Sequence, residues 1–71
     1  MKNKEMASLF SRIADALEIK GEAAFKVLAY RKAARILEDL SEDIETVARE
    51  KRLQKIDGIG SGIAAKIEEY L

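Results

Sequence analysis

Apolar residues recur at three- and four-residue steps through most of the chain, a spacing that predicts amphipathic helices. The first predicted helix spans residues 4–20, and Gly21 ends it in the left-handed conformation common at a C′ position. The second predicted helix spans residues 23–40, a short third helix follows Ser41, and the fourth starts after Gly60. The chain contains no proline, which agrees with a mostly helical structure.

Each predicted helix has an apolar stripe that we expect to face one common core. The predicted N-caps are Asn3, Ser41 and Ser61. The predicted core residues, in helix order, are Met6, Leu9, Phe10, Ile13, Leu17, Phe25, Leu28, Ala29, Ala33, Ile36, Leu37, Leu40, Ile44, Val47, Ala48, Leu53, Ile56, Ile63, Ala64, Ile67, Tyr70 and Leu71. A chain of 71 residues forms one domain. The sequence therefore predicts an all-α, compact four-helix domain over residues 1–71.

The composition excludes several classes of chemistry. The chain has no cysteine and no histidine, so it offers no disulfide framework, no thiolate metal site and no histidine base. The first twenty residues are charged and amphipathic, which excludes a signal peptide and a membrane span. We therefore expect a soluble, cytoplasmic protein. The last helix runs to the chain end without a capping residue, as a segment of a longer protein or a frayed natural terminus would.

The charges are balanced overall but clustered along the chain. There are 13 basic and 13 acidic residues, whereas most nucleic-acid-binding proteins have a basic excess. Residues 20–35 carry five basic side chains and one acidic, and residues 49–66 carry five basic and two acidic. The five acidic residues between these basic segments largely mark the start of the third helix, where negative charge is favourable. Charge clusters are also typical of solvated helix faces.

The stretch most indicative of function is the glycine-rich turn before the fourth helix. Gly58 and Gly60 flank Ile59, which we expect to insert into the core, and a helix begins immediately afterwards. Glycines can adopt positive φ and leave backbone N–H groups accessible, and a helix N-terminus attracts anions. The turn therefore predicts a phosphate site at Gly58, Ile59, Gly60, Ser61 and Gly62, flanked by Lys55 and Lys66. The alternative is a structural turn alone; a dinucleotide fingerprint is excluded because no strand precedes it.

Two separated motifs resemble one family. Residues 26–34 read Lys-Val-Leu-Ala-Tyr-Arg-Lys-Ala-Ala, and residues 56–60 read Ile-Asp-Gly-Ile-Gly. Together, residues 2–71 resemble the N-terminal domain of family X DNA polymerases, the DNA polymerase beta-like fold, especially the bacterial and archaeal type. The resemblance implies a helix-hairpin-helix motif at about residues 43–71. It further implies a repair polymerase whose N-terminal domain contacts gapped DNA and its 5′-phosphate.

The resemblance also implies roles for individual residues. Backbone carbonyls of Gln54, Ile56 and Ile59 would hold K⁺ or Na⁺, the only cofactor expected. Lys26, Tyr30 and Arg31 would join the DNA-binding residues, although a helical tyrosine is more often half-buried packing. Lys66 matches the Schiff-base lysine of members with 5′-deoxyribose-phosphate lyase activity.

The chain departs from the family pattern at two positions. The family often has proline at the position of Asp57, where an acidic side chain now lies near the phosphate site. Lyase-competent members carry a lysine at the position of Gly62. Since lysine amines are almost wholly protonated at neutral pH, a lyase needs a neighbouring cation or desolvation. We therefore expect any lyase activity through Lys66 to be weak.

Three functions remain open from the sequence. The first is a monomeric, non-sequence-specific DNA-binding domain of a family X repair polymerase. The second is a lyase, and the third is a helical protein-interaction module whose glycines only form a turn. Phosphate-dependent DNA binding separates the first from the third, and covalent trapping on an abasic substrate identifies the second.

Overall fold

Four α-helices and one 3₁₀ turn form the fold in the computed structural model, which describes residues 1–71. The helices are α1 (Asn3–Lys20), α2 (Ala24–Asp39), α3 (Ile44–Arg49) and α4 (Ser61–Tyr70). The 3₁₀ turn, Leu53–Lys55, lies between α3 and α4. There are no strands, so the predicted all-α class is confirmed. None of the helices is both long and apolar enough to cross a membrane.

The pairing of α1 with α2 depends on the turn at Gly21. Gly21 has φ 77°, and its N–H donates to the Glu18 carbonyl at 3.0 Å. The N–H of Glu22 donates to the Leu17 carbonyl at 3.0 Å. These two bonds form a Schellman motif, which favours glycine because its C′ residue is left-handed. The predicted helix end at Gly21 is confirmed, and α2 packs back against α1.

The core contains side chains from all four helices and from the turn before α4. Its largest fully buried members are Phe10, Leu37, Ile44, Val47 and Ile67. Small residues between them, Ala7, Ala14, Ala33 and Ala34, are also buried. Alanines at such positions allow helices to approach closely without leaving voids. The core thus joins the α1–α2 pair to the C-terminal half of the chain.

The predicted apolar stripe of α2 was wrong at its N-terminal end. Phe25 is 72% exposed and Leu28 is 64% exposed, whereas Val27, Ala33, Ala34 and Leu37 are buried. Leu28 follows the buried Val27, and one residue turns a helix by about 100°. Leu28 therefore points away from the α1 contact. At the end of α4, Tyr70 and Leu71 were also expected in the core and are 49% and 41% exposed.

The three predicted N-caps were wrong. Asn3 is the first residue of α1, where Lys2 occupies the N-cap position without a side-chain bond. Asp43 rather than Ser41 caps α3, and its carboxylate accepts the Glu45 N–H at 3.0 Å. Gly60 is the N-cap of α4, and Ser61 is already helical. Asn, Ser and Asp are all good caps in isolation, so tertiary contacts decided which residue serves.

Asn3 connects the start of α1 to the loop between α2 and α3. Its Nδ2 donates to the carbonyls of Leu40 and Glu42, and its Oδ1 accepts the Ile44 N–H at 2.8 Å. The side chain is buried, with only 3% of the residue exposed. A buried amide is stable only when its polar atoms are bonded, and here they are. Asn3 therefore supplies a hydrogen-bond acceptor to the first turn of α3 from a distant part of the chain.

Arg52 holds the two ends of the α3 segment together. Its Nη2 lies 2.8 Å from Oε1 of Glu42, and its Nε donates to Oε1 of Glu50 at 2.8 Å. The backbone reaches this arrangement through Lys51, a non-glycine residue at φ 60°. The hydrogen bond from Arg52 holds the pKa of Glu42 below its ordinary value, and the bond to Glu42 raises the pKa of Arg52.

Replacing Asn3 with alanine should lower the free energy of unfolding by about 2 kcal/mol. The substitution leaves the buried Ile44 N–H without its acceptor, a loss that typically costs roughly 1–3 kcal/mol. Urea denaturation followed by circular dichroism measures the change. Lys4→Ala, at an exposed neighbouring position of α1, is the control, and its urea midpoint should remain close to that of the parent. An Asn3→Ala midpoint equal to that of Lys4→Ala would contradict this role.

Candidate functional site

The turn before α4 depends on one glycine that no other residue can replace without strain. Gly58 has φ 94°, and a Cβ there would lie 2.7 Å from Cδ1 of Ile36. The next residue, Ile59, donates its N–H to the Ile56 carbonyl at 3.0 Å and is 4% exposed, so its predicted insertion into the core is confirmed. Gly60 differs, because its φ of −87° and ψ of −178° suit any residue. Of the two hairpin glycines, Gly58 alone adopts the positive φ that both could tolerate.

The N-terminus of α4 presents backbone donors that have no partner in the protein. The Gly60 carbonyl accepts the Ala64 N–H at 2.9 Å, which starts the helix. The N–H groups of Gly60, Ser61, Gly62 and Ile63 make no backbone hydrogen bond, and no side chain caps them. Free N–H groups and the helix dipole together favour an anion at this end of the helix. The turn therefore offers free donors of the kind that phosphate oxygens accept.

A cleft of about 880 Å³ lies beside these donors. Its lining comes from α1, α2, the turn and α4, and contains seven of the predicted site residues: Lys26, Tyr30, Gly58, Gly60, Ser61, Gly62 and Lys66. Apolar side chains form much of the remaining wall: Ile13, Leu17, Phe25, Ala29, Ile63 and Tyr70. The fold thus brings together two segments that are separated by about thirty residues of sequence.

The two lysines of the cleft each pair with an acidic residue on the protein. Lys26 Nζ lies 3.6 Å from Oε1 of Glu22, and Lys66 Nζ lies 3.5 Å from Oε2 of Glu69. All four side chains are substantially exposed. Exposed pairs of this kind contribute about 0–1 kcal/mol, so a bound phosphate can displace the carboxylates. Both lysines therefore remain available to an anionic ligand.

Tyr30 packs against the core and also lines the cleft. Its ring meets Phe10 edge to face, with centroids 5.5 Å apart and planes at 82°. The residue is half-buried and also lines the cleft. Half-buried packing, the commoner role of a helical tyrosine, is thus present. The same packing holds the phenol ring in the wall of the cleft.

Arg31 lies outside the cleft. Its guanidinium pairs with Asp15 at 3.1 Å and with Glu18 at 2.9 Å, both on α1. The hydrogen bond to Asp15, together with the Glu18 carboxylate, raises the pKa of Arg31. The side chain lines a separate groove with Ser11 and Arg35. The structure therefore does not bring Arg31 together with the other predicted phosphate-binding residues.

The predicted cation ligands lie along the 3₁₀ turn and the hairpin. The Ile56 carbonyl accepts one backbone N–H, whereas the carbonyls of Gln54 and Ile59 accept none. No cluster of His, Cys, Asp or Glu side chains could hold a metal ion, so carbonyl oxygens would be the ligands here. Neutral oxygen donors with free lone pairs suit a hard cation such as K⁺ or Na⁺. The residues present therefore fit the ion.

Lys55 and Gln54 are exposed and lie outside the cleft.

Two residues near the site were missed by the sequence reasoning. Phe25 was assigned to the core because it fits the apolar period of α2, yet it lines the cleft. Lys32 belongs to the basic segment 20–35 and to the 26–34 motif but was not among the predicted site residues, yet its Cε lies 2.9 Å from where a Cβ of Gly58 would be. The basic segment and the 26–34 motif were the available signals for Lys32, and Phe25 had none, because the place of both side chains depends on how α2 meets the hairpin.

The helix-hairpin-helix domain family matches residues 1–71. The DNA polymerase/3′-5′ exonuclease PolX of Bacillus subtilis (strain 168) is 37% identical to the chain over 71 residues. That alignment covers 100% of this chain and 12% of the relative, in its N-terminal part, and the relative is a family X DNA polymerase. No solved structure matches the chain.

Proposed function

Because the chain belongs to the helix-hairpin-helix domain family, we propose that it binds DNA without sequence specificity, through phosphates held at the hairpin. The observation that carries the proposal is the uncapped N-terminus of α4 beside Lys26 and Lys66. Backbone N–H groups and lysines recognise phosphate oxygens and carry no base information. Since most of the donors are backbone groups, a chain with balanced charge can still bind DNA.

The wider role we propose is that of the N-terminal domain of a family X repair polymerase acting on gapped, 5′-phosphorylated DNA. The support is the 37% identity with the N-terminal part of PolX. A 5′-phosphate at a gap carries more negative charge than an internal phosphodiester and is not flanked by a second nucleotide. A terminal phosphate can therefore approach the convergent N–H groups of Gly60, Ser61 and Gly62 from the open side.

Gly60→Asp should abolish DNA binding while preserving the fold. The carboxylate of an aspartate at this N-cap would accept hydrogen bonds from the free N–H groups of α4 and would repel phosphate. Gly60 has extended backbone and no atom within 4 Å of an added Cβ, so the variant should be as stable as the parent or a few tenths of a kcal/mol more stable. For the parent, contact with about two to four phosphates predicts a log–log salt slope of roughly −2 to −4.

Fluorescence anisotropy with labelled gapped DNA, with and without a 5′-phosphate, measures the affinity and, at several salt concentrations, the salt slope. Ala16→Asp is the matched control, because it adds the same charge at an exposed position of α1 outside the cleft. Bulky residues at Gly58 are a poorer test, since they clash with Ile36 and require positive φ. Unchanged affinity of a folded Gly60→Asp protein would exclude the hairpin as the site. No DNA binding by the parent would favour a protein-interaction module.

We also propose that K⁺ or Na⁺ assists DNA binding at the hairpin carbonyls of Gln54, Ile56 and Ile59. The cation would stabilise the turn and place a positive charge next to the phosphate. Replacing K⁺ by tetramethylammonium at constant ionic strength should weaken binding several-fold, because the organic cation is too large for a shell of carbonyl oxygens. Thermal unfolding in both salts is the control for an effect on the fold. Equal affinity in the two salts would remove the cation from the proposal.

A second candidate activity is 5′-deoxyribose-phosphate lyase. The observation that favours it is the presence of Lys66, Lys26 and Tyr30 in the wall of one cleft. The neutral amine of Lys66 would attack the C1′ aldehyde of the sugar and release water, forming a Schiff base. Lys26 would supply the neighbouring positive charge that Gly62 cannot. We expect the activity to be weak because position 62, one helical turn before Lys66, carries glycine in place of a lysine.

Borohydride trapping on a gapped substrate with an incised abasic 5′ end tests the lyase. Parent protein should give weak trapping, Lys66→Ala none, and Gly62→Lys clearly more than the parent. A lysine at position 62 lies one helical turn before Lys66 and meets no atom within 4 Å of its Cβ. Adding Lys66→Ala to Gly62→Lys should remove the gain. Strong trapping by the parent, lost in Lys66→Ala, would contradict the expected weakness; trapping that survives in Lys66→Ala would exclude Lys66 as the nucleophile.

A further inference from the structure

Lys32 of α2 lies against the hairpin, on the side of Gly58 that faces α2. A Cβ added to Gly58 would lie 2.9 Å from Lys32 Cε and 3.5 Å from Lys32 Nζ. The glycine therefore leaves room for the aliphatic part of this lysine as well as adopting positive φ. Lysines commonly pack their methylene groups on the protein and keep the ammonium in water. This packing holds the Lys32 ammonium beside the hairpin backbone.

The charge of Lys32 is also unpaired, unlike the charges of Lys26, Arg31 and Lys66. Lys26 pairs with Glu22, Arg31 with Asp15 and Glu18, and Lys66 with Glu69. No ion pair of the chain includes Lys32. The side chain is exposed and does not line the cleft that contains Lys26 and Lys66. Lys32 is therefore a free cation placed at the hairpin from outside the cleft.

We propose that Lys32 binds a second DNA phosphate, adjacent in the same strand to the phosphate held by the N–H groups of α4. The inference rests on the proposed function and extends it from one phosphate to a path along the strand. The path runs from the cleft lysines, across the hairpin, and onto α2 at Lys32. Arg31, the next residue in the sequence, has the different role of joining α2 to α1.

Because Lys32 lies beside the hairpin, it can contact only a phosphate next to the one that the hairpin binds. A second contact beyond the cleft selects DNA that continues past the bound phosphate over a free phosphate or a mononucleotide. Because Lys32 must break no ion pair, its full charge is available when the strand arrives. Loss of one such phosphate contact should reduce the salt slope by about one and weaken binding uniformly across DNA sequences.

The test compares Lys32→Gln with Arg35→Gln. Glutamine keeps an aliphatic stem over Gly58 and removes the charge, so the packing changes little. Arg35 is an exposed arginine on the same helix that makes no ion pair and lines the groove near Arg31 rather than the hairpin, so its replacement removes an equal charge elsewhere. Anisotropy titrations of gapped DNA at several salt concentrations give the slopes, and circular dichroism melting confirms that each variant is folded.

We expect Lys32→Gln to reduce the salt slope by about one and to weaken binding several-fold at low salt, with Arg35→Gln close to the parent. Lys32→Arg should restore the slope, because it restores the charge. Equal slopes for folded Lys32→Gln and the parent, or equal losses in Lys32→Gln and Arg35→Gln, would overturn the inference and leave hairpin binding intact. A parent protein without salt-dependent DNA binding would instead overturn the proposed function.

Discussion

The packing of the Gly58–Ile59 hairpin against α2 is the contact on which the rest of the site depends. Gly58 brings its backbone against Ile36 and Lys32, and Ile59 inserts its side chain into the core. These two adjacent residues fix the position from which α4 starts. Because α4 starts there, its free N–H groups lie in the same cleft as Lys26 and Tyr30 of α2. A small change at Gly58 would therefore move the free N–H groups of α4 as well as the core.

The distribution of ion pairs explains how a chain without net charge can present a cationic site. Arg31 and Arg52 are engaged in ion pairs that connect elements of the fold, and they contribute little free charge. The lysines near the hairpin are either unpaired or held by weak, exposed pairs. Since the helix dipole and the backbone N–H groups add positive potential without any charged side chain, local structure matters more here than the residue count.

Much of the fold and part of the site could be predicted from the sequence. The four helices, the end of α1 at Gly21 and the burial of Ile59 follow from local period and glycine chemistry. The caps could not be predicted, because a buried Asn3 bonds to a loop some forty residues away. Phe25 could not be assigned either, since an apolar residue in the right period is exposed when no neighbouring element covers it.

The sequence by itself determined which segments are helical and where a glycine turn precedes a helix, because these features depend on interactions between residues close in the chain. It also supplied the residue types of the proposed phosphate site. Only the tertiary structure decided that Lys26, Tyr30 and Lys66 share one cleft, and that Arg31 lies elsewhere while Lys32 reaches the hairpin. Adjacent residues of a helix point about 100° apart. The angle at which α2 packs on α1 therefore determines which basic side chain of α2 lies beside the hairpin.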